Sequence, residues 1–272
     1  MRNKPLEMSL YAAGAGAFGV FLRWLENQLA FNEEGLADPS AFHVIVPLFL
    51  IACVVVFWRF QQEIERKHYA TSPELRLALY SDLQLHTGLS ILAGFVMVLG
   101  GLLLFAKSET DPFVGMLRVL AALAVFSGIA FPLVLLEARR EAPRLGLLCP
   151  LMLLPLLMYA VWLILSYRRN AINSVHLAYG MDMLTAIIGM IASFRMAGFA
   201  FGAAKPKRAV LSAMLCASIC IMSLADERYT GMQMILLGTA GEMLLYNWIM
   251  LQNLEQQEHK VVVHKDDGFE HL

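Results

Sequence analysis

Eight apolar runs of membrane-spanning length predict an all-α integral membrane protein, a bundle of about eight transmembrane helices with some kinked by proline. Three observations carry that prediction. The runs approach the roughly 20 residues a helix needs to cross a bilayer. The 272 residues are 58% hydrophobic and only 16% charged, against roughly 25% charged in an ordinary globular domain. The basic residues gather in alternate gaps between runs, as they do when cytoplasmic loops retain Lys and Arg.

The spans are expected at about Met8–Phe31, His43–Phe60, Leu85–Ala106, Val114–Leu136, Leu145–Tyr167, Ser174–Ala200, Ala209–Ala225 and Tyr229–Gln252. Lipid offers no partner to a free backbone amide, so each run is helical. The first run follows Arg2 and Lys4 and is rich in Ala and Gly, like a signal peptide. It continues through Arg23, Trp24 and Glu26 without a break, so it is expected to be kept as a span. Residues 1–252 form one helical domain, and 253–272 read as a polar, flexible or docking tail.

With the N-terminus inside, the inner segments hold fourteen basic residues. They are Arg2 and Lys4; Arg59, Arg66, Lys67 and Arg76; Arg139, Arg140 and Arg144; Lys205, Lys207 and Arg208; Lys260 and Lys265. The outer gaps hold four, Lys107, Arg168, Arg169 and Arg228, beside acidic groups such as Asp111, Asp226 and Glu227. Both termini are therefore expected in the cytoplasm of a bacterium, with the chain multi-pass in its inner membrane. Arg168 and Arg169 are the outer pair this rule leaves unexplained. In the longest inner gap, Ser72 as N-cap and Pro73 at the first helical position predict an early start to the third helix.

Ionisable groups inside a span are costly and face a bundle interior or water. At about 1.5 Å per residue, Asp182 and Glu242 are the deepest charges. Each must be protonated, paired or wetted. Arg23 matches Asp182 in depth and is its expected partner, whereas Glu242 has no basic residue at its level. Arg23 and Glu26 stand at i, i+3 in the first span and can pair with each other. Arg118, His43 and His176 lie near the same outer face. These seven residues are the candidates for ligand binding or ion coupling, unless Arg118 and the histidines simply snorkel to the headgroups.

Pro47, Pro132, Pro150 and Pro155 interrupt three spans and can open cavities by kinking them. Small residues in the first span, Gly198 and Gly202, and Gly238 and Gly241 suit close helix packing. Cys53, Cys149, Cys216 and Cys220 lie in apolar runs and read as small buried hydrophobes, with neither a disulfide framework nor a metal set. No lysine lies within a span, which excludes a retinal Schiff base. Neither H-E-x-x-H nor G-x-S-x-G occurs, and His43 with His176 is too slight a pair to predict haem. No cofactor, catalytic residue or metal is expected, and with a net charge of −1 no nucleic-acid partner either.

The stretch Arg23-Trp-Leu through Phe31-Asn-Glu-Glu-Gly-Leu36, followed by an apolar helix, resembles the start of uncharacterised multi-span proteins of anaerobic gram-positive bacteria. The resemblance covers about 15 residues. It implies no activity, and suggests only that the loop Asn32–Phe42 is a shared feature. Three functional classes stay open: a small-molecule or ion transporter or ligand-binding receptor with an outward-facing polar cavity; a non-catalytic subunit docked to a membrane partner or to its own copy; and an intramembrane enzyme.

Overall fold

The computed structural model describes residues 4–31, 40–66, 74–141, 143–170 and 179–266, and every regular element is helical. The helices are α1 (Lys4–Leu29), α2 (Phe42–Arg66), α3 (Leu75–Leu79), α4 (Gln84–Lys107), α5 (Val114–Glu137), α6 (Leu145–Asn170), α7 (Gly180–Ala200), α8 (Pro206–Met222) and α9 (Thr230–Asp266). All except α3 are long and apolar enough to cross a membrane. The loop 32–39, Ser72, Pro73 and His176 lie outside the described residues.

Eight spans return the chain to the side on which it began. We call that end proximal and the opposite end distal. The described span ends match the apolar runs to within a few residues, because runs stop where charge or a turn begins; the expected start of the sixth span at Ser174 lies outside the described residues. One expectation is corrected. The third span does not run on from residue 73: α3 ends at Leu79, and Tyr80–Leu83 is extended backbone before α4 starts at Gln84. Helix α9 continues past the expected end of the span at Gln252 as far as Asp266, and residues 267–272 lie outside the described residues. Its polar C-terminal stretch contains no Gly or Pro before Gly268 to stop it.

Helix packing follows a closed path. Helix α4 packs on α5, α5 on α6, α6 on α7, α7 on α8, α8 on α9, and α9 back on α4. Helices α1 and α2 pack outside this ring, against α8, and α1 also touches α9. Burial agrees: 72% of the apolar window of α9 is buried, against 17% for α2. The interior is filled rather than open. Tyr159, Trp162 and Tyr246 are among the largest fully buried side chains. Tyr159 stacks on Trp162 with ring centroids 5.9 Å apart, and Tyr246 donates to the Phe131 carbonyl at 2.7 Å.

Glycine sets the closest approaches. A Cβ on Gly238 would meet Met97 Cγ at 2.3 Å and the Ala93 carbonyl at 2.7 Å. Gly100 and Gly231 face each other just as tightly across the same α4–α9 seam. Gly16 and Gly19 seat α1 on Ile221 and Met222. Whereas Gly14 has open space beside it, Gly16, Gly19, Gly238 and Gly241 thus serve packing within the bundle. Gly202 does not: it takes φ +68° in the turn after α7, a conformation glycine reaches without strain.

Candidate functional site

The distal end carries a continuous chain of charges. In the last turns of α1, Arg23, Glu26 and Asn27 share a face, as i, i+3 and i+4 positions do. Arg23 Nη1 donates to Glu26 Oε2 at 2.6 Å, and Arg23 Nε to Asp226 Oδ1 at 2.6 Å. Asp226 lies in the short turn between α8 and α9, held by Asn27, whose amide donates to the Ala225 carbonyl at 3.1 Å. Arg228 continues the chain, donating through Nη2 to Asp226 Oδ2 at 3.1 Å and through Nη1 to the Ser223 carbonyl at 2.9 Å. Its Nε lies 2.9 Å from Asp182 Oδ1, an ion pair in which the N–H does not aim at the oxygen. Asp182 Oδ2 accepts from Ser166 Oγ and from Trp162 Nε1, the latter at 3.3 Å. The chain thus runs Glu26–Arg23–Asp226–Arg228–Asp182 and ties α1, the α8–α9 turn, α7 and α6 together.

Alternating signs make this arrangement tolerable. The Arg23 side chain is 4% exposed and that of Arg228 7%, and such buried cations survive only when paired and hydrogen-bonded. A second cluster lies beside the first. Asp111 accepts from Arg169 and from the Tyr229 hydroxyl at 3.0 Å, and its other oxygen caps the Phe113 amide at 2.8 Å. The Arg169 guanidinium also lies 5.6 Å from the Tyr229 ring centroid, within cation–π range. Arg169, left unexplained by charge counting, is therefore neutralised within the fold. Arg168 points outward, its Nη1 3.7 Å from Met116 Sδ.

Between these clusters lies a cavity of about 850 Å³. Arg23, Asn27, Asp182, Asp226, Arg228 and Arg169 supply its polar wall, and Trp24, Phe31, Tyr179 and Met232 its apolar one. It presents both signs of charge beside aromatic faces, a lining suited to orienting a small polar molecule.

The sequence candidates fall into three groups. Arg23 and Asp182 line the cavity, but they do not pair with each other. Arg23 is taken up by Glu26 and Asp226, while Arg228, a turn residue by sequence, folds back onto Asp182. Glu26 lies behind Arg23, and His43 backs Glu26, with Nδ1 3.6 Å from Oε1 and Nε2 3.0 Å from the Ala30 carbonyl. Arg118 stands apart, 44% exposed, donating to Ser108 Oγ at 3.2 Å and lying 3.6 Å from Glu109. Glu242 stands apart too, in mid-bundle, bonded to Ser90 on α4. Sequence reasoning counted Asp111, Asp226, Arg228 and Arg169 only as loop charges and passed over Ser166, Trp162 and Tyr229. The available signal was the density of alternating charge in a turn as short as Asp226-Glu-Arg228.

Together these features define a polytopic α-helical membrane protein with a charged cavity at one end. No protein-family model, no curated protein and no solved structure matches the chain.

Proposed function

We propose that this protein binds a small polar solute in the distal cavity, as a transporter or a ligand-binding receptor, with the cavity facing outward from a bacterial inner membrane. The observation that carries this reading is the 850 Å³ cavity walled by the Arg23–Asp226–Arg228–Asp182 chain. That volume lies within the usual range for small-molecule sites. A solute bearing a carboxylate or an amine meets a complementary partner there, and Trp24, Phe31 and Tyr179 offer faces for its apolar part. The excess of Lys and Arg on the proximal side supports the orientation.

The test is a thermal-shift panel of amino acids, amines and organic acids on the purified protein. A ligand at 100 times its Kd stabilises by about 2.7 kcal/mol, and Asp182→Asn is expected to abolish that gain. A flat response to the whole panel, with Asp182→Asn folding normally, overturns the proposal. Orientation is tested by thiol labelling at Glu109→Cys, whose native side chain is 77% exposed at the distal end, and at exposed Ala203→Cys near the proximal end. Labelling from outside at Ala203→Cys alone reverses the assignment.

A second reading, a subunit docked to another membrane protein, draws on α2. That helix is sparsely buried, and an apolar crevice of about 240 Å³ runs between it, α7 and α8. A stoichiometric partner or homo-oligomer crosslinked through Val54→Cys supports this reading, and a monodisperse monomer in mild detergent counts against it.

A further inference from the structure

Glu242 and the distal charge chain obey different rules. Glu242 is fully buried, half-way along its span, about 18 Å from either end. Both carboxyl oxygens lie 3.0 Å from one hydroxyl, Ser90 Oγ on α4. Among the described residues no Lys, Arg or His lies within ion-pair distance of it. A single hydroxyl is a poor substitute for water around a full negative charge.

One turn toward the proximal end, on the same helix as Ser90, stands His86. It is 1% exposed. Its Nδ1 lies 2.6 Å from Ser81 Oγ, and its Nε2 is buried with no hydrogen-bond partner. The Trp248 ring of α9 meets the imidazole edge-on at 4.5 Å, and Trp248 Nε1 is also buried and unpartnered. Two orphaned ring nitrogens on neighbouring side chains are rare in a folded interior. Here they put unpaired polar atoms beside an otherwise apolar seam.

We propose that Glu242, Ser90 and His86 form a proton-binding site within the bundle, loaded from the proximal end. The proton's route begins at Ser81, next to the exposed Asp82 and Leu83. His86 accepts a proton on one ring nitrogen and releases one from the other. Since His86 Nε2 has no protein partner, a water molecule carries its proton across the turn to Ser90 Oγ as the Ser90 hydroxyl passes its own proton to the Glu242 carboxylate. One proton enters and one carboxylate becomes a carboxylic acid, so charge and atoms balance. On the distal side the path is closed. The Gly238–Met97 and Gly100–Gly231 contacts leave no room along the α4–α9 seam, and a Cβ on Gly241 would lie 3.2 Å from Ala93 Cβ.

The other groups facing the string are few. The Arg139 guanidinium donates to the Leu83 carbonyl, three residues before His86, at 3.0 Å, and Ser81 and Trp248 touch His86 itself. The Tyr246 hydroxyl, one turn along α9 from Glu242, is engaged with the Phe131 carbonyl. The site does not depend on the solute reading of the distal cavity, so the two can fail separately.

Infrared difference spectroscopy of the full chain in liposomes tests it at neutral pH. The wild type is expected to show the C=O stretch of a protonated, hydrogen-bonded carboxyl, and Glu242→Gln to remove it. Ser90→Ala retains the carboxyl and shifts the band to higher frequency, which tests the assignment should Glu242→Gln fold poorly. In D₂O the band is expected to shift by exchange, and His86→Phe to slow that exchange about tenfold or more. A band untouched by both Glu242→Gln and Ser90→Ala overturns the proposal, as does exchange at the same rate without His86. Solute binding in the same variants reports separately on the distal cavity.

Discussion

The two sets of buried acids in this bundle are neutralised in opposite ways. At the distal end Asp182, Asp226 and Glu26 each face an arginine, and the charges alternate along a chain. In mid-bundle Glu242 faces a hydroxyl. The difference teaches that burial alone does not define a site. The distal acids gain cations because turns and helix ends can fold long side chains back over them. Glu242 sits where the α4–α9 seam is too tight to admit one, since glycines bring the two backbones together just above it.

The largest test of this contrast is Arg228→Met. It keeps the bulk but leaves Asp182 and Asp226 without a shared cation, and breaking a buried pair on one side costs about 3–5 kcal/mol. Denaturant unfolding in detergent micelles measures it. Next comes the seam. Gly238→Ala must move Met97 or Ala93 and is expected to cost about 1–3 kcal/mol, whereas Gly115→Ala, with nothing within 4 Å, gains up to about 1 kcal/mol of helix propensity. Equal melting points for the two variants would show that the seam is not tight.

Replacing acid by amide separates the regions directly. Asp182→Asn removes the charge opposite Arg228 and is expected to destabilise by about 1–3 kcal/mol, while Glu242→Gln, with no cation to strand, stays within about 1 kcal/mol of wild type. Reversal of that order in the same unfolding assay breaks the comparison.

The smallest effect is alkaline and lies outside the spans. Partial burial pushes the Tyr229 phenol up, and the bond it donates to Asp111 pushes the same way, with Arg169 opposing. The native state then keeps a proton that the unfolded chain releases near pH 10. That stability is complete below the unfolded value and is lost as pH rises above it. Tyr229→Phe is expected to flatten the fall in melting temperature above about pH 10.

Much of this architecture was legible in the sequence because bilayer length and charge punctuation are local signals. Spans such as Val114–Glu137 and Gly180–Ala200 end within a residue or two of where charge or turn residues end the apolar run. The break at Tyr80–Leu83 was not legible, since nothing in Leu75–Gln84 forbids helix. Depth along a helix was readable for Asp182 and Glu242, and the isolation of Glu242 followed from it. Azimuth was not. Arg23 and Asp182 match in depth, yet which of them faces Arg228 depends on how the α8–α9 turn folds back, and pattern alone carries no record of that.

The Arg23–Asp226 bond joins residues 203 apart in the chain. At synthesis rates of about 5–20 residues per second, Asp226 emerges roughly 10–40 s after Arg23 has entered the membrane. Glu26, three residues away and in contact at 2.6 Å in the finished fold, belongs to the same helix and so needs no later segment to reach that arginine. The i, i+3 pair is thus a contact available as soon as α1 has formed, as well as a link in the finished chain. Glu26→Gln should therefore lower the yield of inserted protein more than it lowers the stability of the protein that does insert.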